Sequence, residues 1–226
     1  MKIKPLLFLI FCCSTSLYAQ KNMWMEFGFS LERGFIKEKY EDEWKKNENR
    51  EDFTFNLNSR FSASYIFGFN QHHYIKTGVQ LAITTYVQPL ENFGFGDRGS
   101  EVEEINVFFF PIGYRLDMEK SSFEPFFEIG LMPGVFIRSA KGTKVDDADL
   151  ELNHVQFAGE RGVPLFIGAY ASIGWNIRLN ENTEIFLTPS AWLYRQWQPE
   201  FSSVDYYINY GFNLGARYQF YKENTD

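Results

Sequence analysis

The chain has almost no cysteine: Cys12 and Cys13 are the only two, adjacent and close to the start. They fall within a segment that reads as an export signal. Lys2 and Lys4 give it a basic beginning, Pro5 to Cys13 (PLLFLIFCC) an apolar stretch, and Ser16-Leu17-Tyr18-Ala19 a cleavage site after Ala19. Residues 1–19 are therefore expected to be removed, leaving residues 20–226 as one domain. That mature chain has no thiol, which excludes disulfides, thiolate metal sites and cysteine nucleophiles. It also lacks any apolar run near the ~20 residues that a spanning helix needs, although 45% of the sequence is hydrophobic. A basic block is missing too. Formal charge is -7 for the full sequence and becomes -9 without Lys2 and Lys4, so nucleic acid is not an expected partner.

Catalytic and metal-binding patterns are equally sparse. No H-E-x-x-H, G-x-S-x-G or C-x-x-C occurs after residue 19. Of the three histidines, His72 and His73 fall in a short turn and His154 in a loop at the other end of the molecule. Gly94-Phe95-Gly96-Asp97-Arg98-Gly99 spells G-x-G-x-x-G, but Ser100-Glu101-Val102-Glu103-Glu104 and a strand follow it where a dinucleotide site needs a helix. Asp146, Asp147, Asp149 and Glu151 cluster without the glycine of a calcium loop, so they read as solvated loop. No catalytic residue, cofactor site or metal site is expected.

What the sequence does have is alternation. From Phe53 to Phe69 the odd positions (Phe53, Phe55, Leu57, Ser59, Phe61, Ala63, Tyr65, Phe67, Phe69) are mostly apolar, and the even ones are polar or small apart from Ile66. Successive strand residues point to opposite faces. Soluble strands run about 5–6 residues, whereas a transmembrane strand needs about 9–11 with apolar residues outward and polar ones inward. The pattern recurs at Met23–Leu31, Ile75–Val87, Glu104–Asp117, Glu124–Arg138, Val163–Leu179, Glu184–Tyr194 and Ile208–Phe220. The fourth of these eight is irregular, because Ile105 and Val107 fall on the polar parity; a bulge near Pro111 would reset its phase.

Connections alternate as well. Short turns at Asn70–His73, Met118–Ser122 and Asn180–Thr183 separate polar loops at Glu32–Asp52, Pro89–Glu103, Ser139–Gly162 and Gln196–Tyr206. The expected fold is thus all-β: an eight-stranded antiparallel up-and-down transmembrane β-barrel with short periplasmic turns and long extracellular loops. Phe67, Phe69, Tyr114, Trp175, Tyr218 and Phe220 would form an aromatic girdle at the periplasmic interface. Location in an outer membrane follows.

Seven charges take lumen parity near the periplasmic half: Glu26, Lys76, Arg115, Glu124, Glu128, Arg178 and Arg217. A paired structural network is the expected arrangement, since buried charges persist when paired and hydrogen-bonded. An ion pathway is the alternative, but eight strands leave an interior that side chains fill. Trp24, Phe166, Tyr170, Trp192 and Tyr194 add bulk there, so a general diffusion pore is not expected.

Three segments carry a family resemblance: Val107-Phe108-Phe109-Phe110-Pro111-Ile112-Gly113-Tyr114-Arg115, Phe123-Glu124-Pro125-Phe126-Phe127-Glu128-Ile129-Gly130 and Ile167-Gly168-Ala169-Tyr170-Ala171-Ser172-Ile173-Gly174. With these the chain resembles the PorT-like group within the OmpA/OmpX-like small outer-membrane barrels. Phe110 stands where that group often carries a glutamate before the proline. The resemblance implies an envelope role, in some members tied to secretion or gliding machinery, and no catalytic residue.

The leading expectation is a non-enzymatic, monomeric barrel in outer-membrane lipid, with extracellular loops that contact a protein or glycan partner. A lipid-modifying enzyme is a second reading; His154 with Asp146 or Asp149 would be its candidate site. A soluble exported barrel around a small apolar ligand is a third, and it requires the apolar parity to face inward.

Overall fold

The computed structural model describes residues 22–37, 57–90, 99–118, 123–145, 151–157, 165–197 and 206–222. Among these residues every regular element is a strand: β1 (Asn22–Lys37), β2 (Leu57–Gly68), β3 (His73–Leu90), β4 (Gly99–Phe109), β5 (Ile112–Asp117), β6 (Phe123–Leu131), β7 (Gly134–Val145), β8 (Glu151–Phe157), β9 (Leu165–Arg178), β10 (Thr183–Trp197) and β11 (Tyr206–Lys222). β4 and β5 form one ring strand, interrupted at Phe110-Pro111. β6 and β7 form another, interrupted at Met132-Pro133. Proline cannot donate to a ladder, and the two gaps lie side by side, with Phe110 N donating to Pro133 O at 2.8 Å.

Eight antiparallel ring strands result, and β11 returns to β1 to close them. Paired residues can be followed once around: Met25, Tyr65, Thr77, Ile112, Leu131, Ala169, Leu193, Ile208 and back to β1 at Phe35. The path rises ten residues per circuit, from Met25 to Phe35. Eight strands with that stagger tilt by about 40° from the barrel axis. Asn22 pairs with both Gly68 and Lys222, so the first and last described strands begin and end at the level of the short turns.

The apolar parity faces outward, as Phe27, Phe61, Ile112, Leu131, Ile173 and Leu214 illustrate, and Phe212 is 62% exposed. The polar parity faces inward and is buried. This is the inverse of a soluble protein and removes the geometry that a soluble barrel with an apolar lumen would need. The outward Phe69, Tyr114, Tyr218 and Phe220 occupy the periplasmic ends of their strands.

Two expectations are corrected. Pro111 interrupts pairing but does not shift phase: Val107, Phe109, Pro111, Gly113 and Arg115 are all buried while Phe108, Phe110, Ile112 and Tyr114 are exposed. Ile105 and Val107 sit on the inward parity because the upper lumen is itself apolar. Second, the ladders outlast the apolar alternation. β7 continues to Val145 and pairs with β8 inside the segment expected to be loop, and β3 and β4 pair as far as Leu90 and Gly99. Above the apolar belt no lipid requires an unbroken apolar outer face, so side-chain alternation fades while backbone pairing persists. The early part of the long alternating run, residues 53–56, lies outside the described residues, as do residues 1–21.

Inward aromatic rings pack over inward glycines on neighbouring strands. The Phe186 ring crosses Gly215 and Gly28, which pair with each other across the β11–β1 seam. Tyr170 likewise lies over Gly130 and Gly113. Small and large residues thus interlock across the narrow interior.

Candidate functional site

The structure places the seven charges singled out in the sequence in one connected network and adds Asp117 and Glu184 to it. β3 presents Lys76 between Glu26 of β1, at 2.6 Å, and Glu128 of β6, at 3.2 Å. Arg115 of β5 reaches Glu26 at 3.3 Å and Asp117 at 2.8 Å, and donates to Asn176 Oδ1 at 2.9 Å. Its guanidinium lies 3.6 Å from the Phe126 ring centroid, so its face is stacked while its edge is bonded. Arg217 of β11 pairs with Glu184 of β10 at 2.5 Å and approaches Asp117 and Glu124 at 3.6 and 3.7 Å. Arg178 closes the series on Glu124 at 2.8 Å, but its side chain is 48% exposed, which puts it at the periplasmic rim.

The network holds five carboxylates and four cations drawn from β1, β3, β5, β6, β9, β10 and β11. A second pair lies above it. Arg60 of β2 binds Glu32 in fork geometry, with Nε at 2.6 Å and Nη2 at 3.1 Å. Ser30 and Asn209 also donate to Glu32, at 2.8 and 2.9 Å. The Arg60 guanidinium sits 4.7 Å from Trp192 and 5.4 Å from Phe109.

Beyond Arg60 the extracellular half is closed by Phe109, Met132, Phe166, Trp192, Tyr194 and Tyr207. Tyr194 stacks on Tyr207 at 5.1 Å and meets Phe109 edge-on at 5.2 Å. Trp24, Ile66 and Tyr74 pack together at the periplasmic end. Between the two lies a polar chamber bordered by Glu128, Ser172, Thr188 and Asn213, with about 20 Å³ open to a water centre. That is room for about one water and no permeant solute. Planar-bilayer recordings of the folded protein are therefore expected to show no stable open conductance; large reproducible channels would contradict the filled lumen.

Among the described residues the remaining candidates do not come together. His73 Nδ1 meets the Tyr114 hydroxyl on the outer surface, while His72 Nδ1 bonds Asp117 O at 3.1 Å. His154 falls in β8 opposite Lys141, and Asp146, Asp147 and Asp149 lie outside the described residues. Glu151 begins β8, opposite Thr143. Gly99 opens β4, a strand, and residues 94–98 of the glycine run are also outside the described residues. No grouping of three or more metal-ligating side chains occurs among the described residues.

No protein-family profile matches the sequence, and no curated protein matches it significantly. Solved structures with a similar fold include Ail, the attachment invasion locus protein of Yersinia pestis (11% identity, 89% of this chain and 99% of that one, TM-score 0.39). Neisserial surface protein A is another (10% identity, 88% and 97%, TM-score 0.45). The outer membrane protease OmpT of Escherichia coli is a third (6% identity, 88% and 97%, TM-score 0.49). The assignment itself rests on this chain's closed ladder, its outward apolar belt and its filled lumen with buried, paired charges. Together they make it a small eight-stranded β-barrel of the outer membrane.

Proposed function

We propose that this barrel is non-enzymatic, of the PorT-like kind, and holds an envelope or secretion partner, protein or glycan, at its extracellular side. One observation carries the reading: on one side of the barrel the sheet continues past the apolar belt. From Ile105–Ser139 to Gly99–Val145 the β4–β7 ladder runs six further residues, roughly 20 Å. β3 flanks it on one side and β8 on the other. A rigid platform standing clear of the bilayer serves binding, whereas the lumen offers neither a passage nor a nucleophile–base pair. Membrane closure needs none of this extension.

The decisive experiment replaces residues 141–156 with a two-residue Asn-Gly turn. The shortened protein is expected to insert and stay folded, because every ring pairing below Arg138 is retained. It is expected not to restore the phenotype of a gene deletion that the full chain restores. Full restoration by the shortened protein, with loss of function on substituting Glu128 or Arg217 in a folded barrel, would move the function into the lumen.

A further inference from the structure

The outward face of β11 is apolar between two aromatic levels, Phe220 and Tyr218 at the periplasmic end and Tyr210 and Tyr206 at the other. The ten residues from Phe220 to Tyr210, at about 3.3 Å each and about 40° of tilt, span about 25 Å, the height of an apolar membrane band. Tyr210 therefore marks the outer-leaflet edge. Arg33 on β1 is its register partner, and Arg195 on β10 is the partner of Tyr206. Both arginines lie on the outward parity and are exposed. The Arg195 guanidinium sits 5.7 Å from the Tyr206 ring.

The four-residue offset between the two arginines is largely cancelled by strand tilt across two strands, so they stand within about 4 Å of one height. Between them β11 presents Tyr206, Ile208 and Tyr210. Lower on the same three strands the outward positions carry no charge. On β4, on the opposite side of the ring, the outward charge is acidic: Glu104, which accepts from Asn106 Nδ2 at 3.2 Å. Among the described residues the outward rim charges are Arg33 and Arg195 over β10–β11–β1, and Glu104 on β4 with Arg138 of β7 opposite Asn106.

We propose that the Arg33–Tyr210–Tyr206–Arg195 face binds a phosphorylated glycolipid of the outer leaflet. The guanidinium forks hold phosphate oxygens, and the tyrosine rings carry the sugar and the first acyl carbons. Arginine matches phosphate in fork geometry, and tyrosine favours the headgroup level. The position suits this use: outward cations are costly at mid-bilayer and nearly free at the interface. The inference rests on the outer-membrane orientation with long loops outward. An epitope inserted between β7 and β8, probed on intact cells, tests that orientation separately.

The experiment folds the parent chain and the Arg33→Gln/Arg195→Gln variant into phosphatidylcholine nanodiscs doped with diphosphoryl lipid A. Native mass spectrometry then counts lipid A retained on each barrel. Retention by the variant is expected to be about thirtyfold weaker, from two basic residues beside an anionic surface. Fully dephosphorylated lipid is expected to show no preference for the parent. Equal retention by parent and variant would overturn the proposal, as would equal retention of both lipid forms by the parent. Displacement by millimolar inorganic phosphate would assign the face to a soluble anion and likewise overturn it. Circular dichroism verifies folding, and Arg33→Lys/Arg195→Lys, which keeps charge without the fork, is expected to fall between the two.

Discussion

An Arg115→Ala barrel, unfolded by guanidinium in lipid vesicles and followed by tryptophan fluorescence, is expected to be about 3–5 kcal/mol less stable than the parent. Arg115 is fully buried and bonds Glu26, Asp117 and Asn176 at once. Among the described ion pairs, its removal leaves Asp117 to Arg217, at 3.6 Å, and Glu26 to Lys76. Uncompensated buried carboxylate, rather than the lost attraction itself, sets the size of the effect. A triple variant, Arg115→Met with Glu26→Gln and Asp117→Asn, removes the stranded charges together. It is expected to recover most of the loss, because apolar or neutral replacement of a whole buried cluster is often near neutral. A loss below about 1 kcal/mol for Arg115→Ala would place the site in the range of solvent-screened surface pairs and contradict its burial.

That contrast also separates what the sequence made legible from what it did not. Outward parity was readable because lipid demands an unbroken apolar face, so residues such as Phe212, Leu214 and Ile173 declare themselves by period alone. Glu26, Lys76 and Arg217 declared themselves against that background as charges on the other parity. Glu184 stood on lumen parity as well, but nothing in its spacing shows that it faces Arg217 from the next strand. Asp117 ends its strand beside a turn, where an acid ordinarily meets water. Glu32 read as the first residue of a loop because Arg33 breaks the apolar stripe beside it. Its partner Arg60 read as one polar residue among serines and asparagines.

The upper lumen misled for a different reason. Period-two contrast assumes opposite chemistry on the two faces, and from Val107 to Phe110 both faces are apolar. One faces lipid and the other fills the barrel against Phe166 and Tyr194. Parity cannot be read where contrast is lost, and a proline close by offered a false cause. Backbone pairing above the membrane is invisible to hydropathy for a related reason: the β7–β8 hairpin lies beyond the apolar belt, where no face has to be lipid-compatible, so its sequence reads as loop.

Glycine at the closing seam gives the second large effect. A Gly215→Val chain is expected to fail to close, leaving little or no folded, protease-resistant protein in vesicles. Gly215 of β11 pairs with Gly28 of β1 and with Phe186 of β10. A Cβ there would collide with the Phe27 carbonyl oxygen and with the Phe186 ring. The carbonyl belongs to the β1–β11 ladder, the ladder that turns a sheet into a ring, so it cannot retreat without opening the barrel. Overpacking alone usually costs about 1–3 kcal/mol; backbone displacement at the seam is expected to exceed that. Phe186→Ala tests which collision dominates. Alone it should fold with a loss of about 3–5 kcal/mol for the vacated ring, and combined with Gly215→Val it should not rescue closure, because the carbonyl clash remains. Recovery of folded protein in the double variant would show instead that the ring was the obstacle and that the seam can yield.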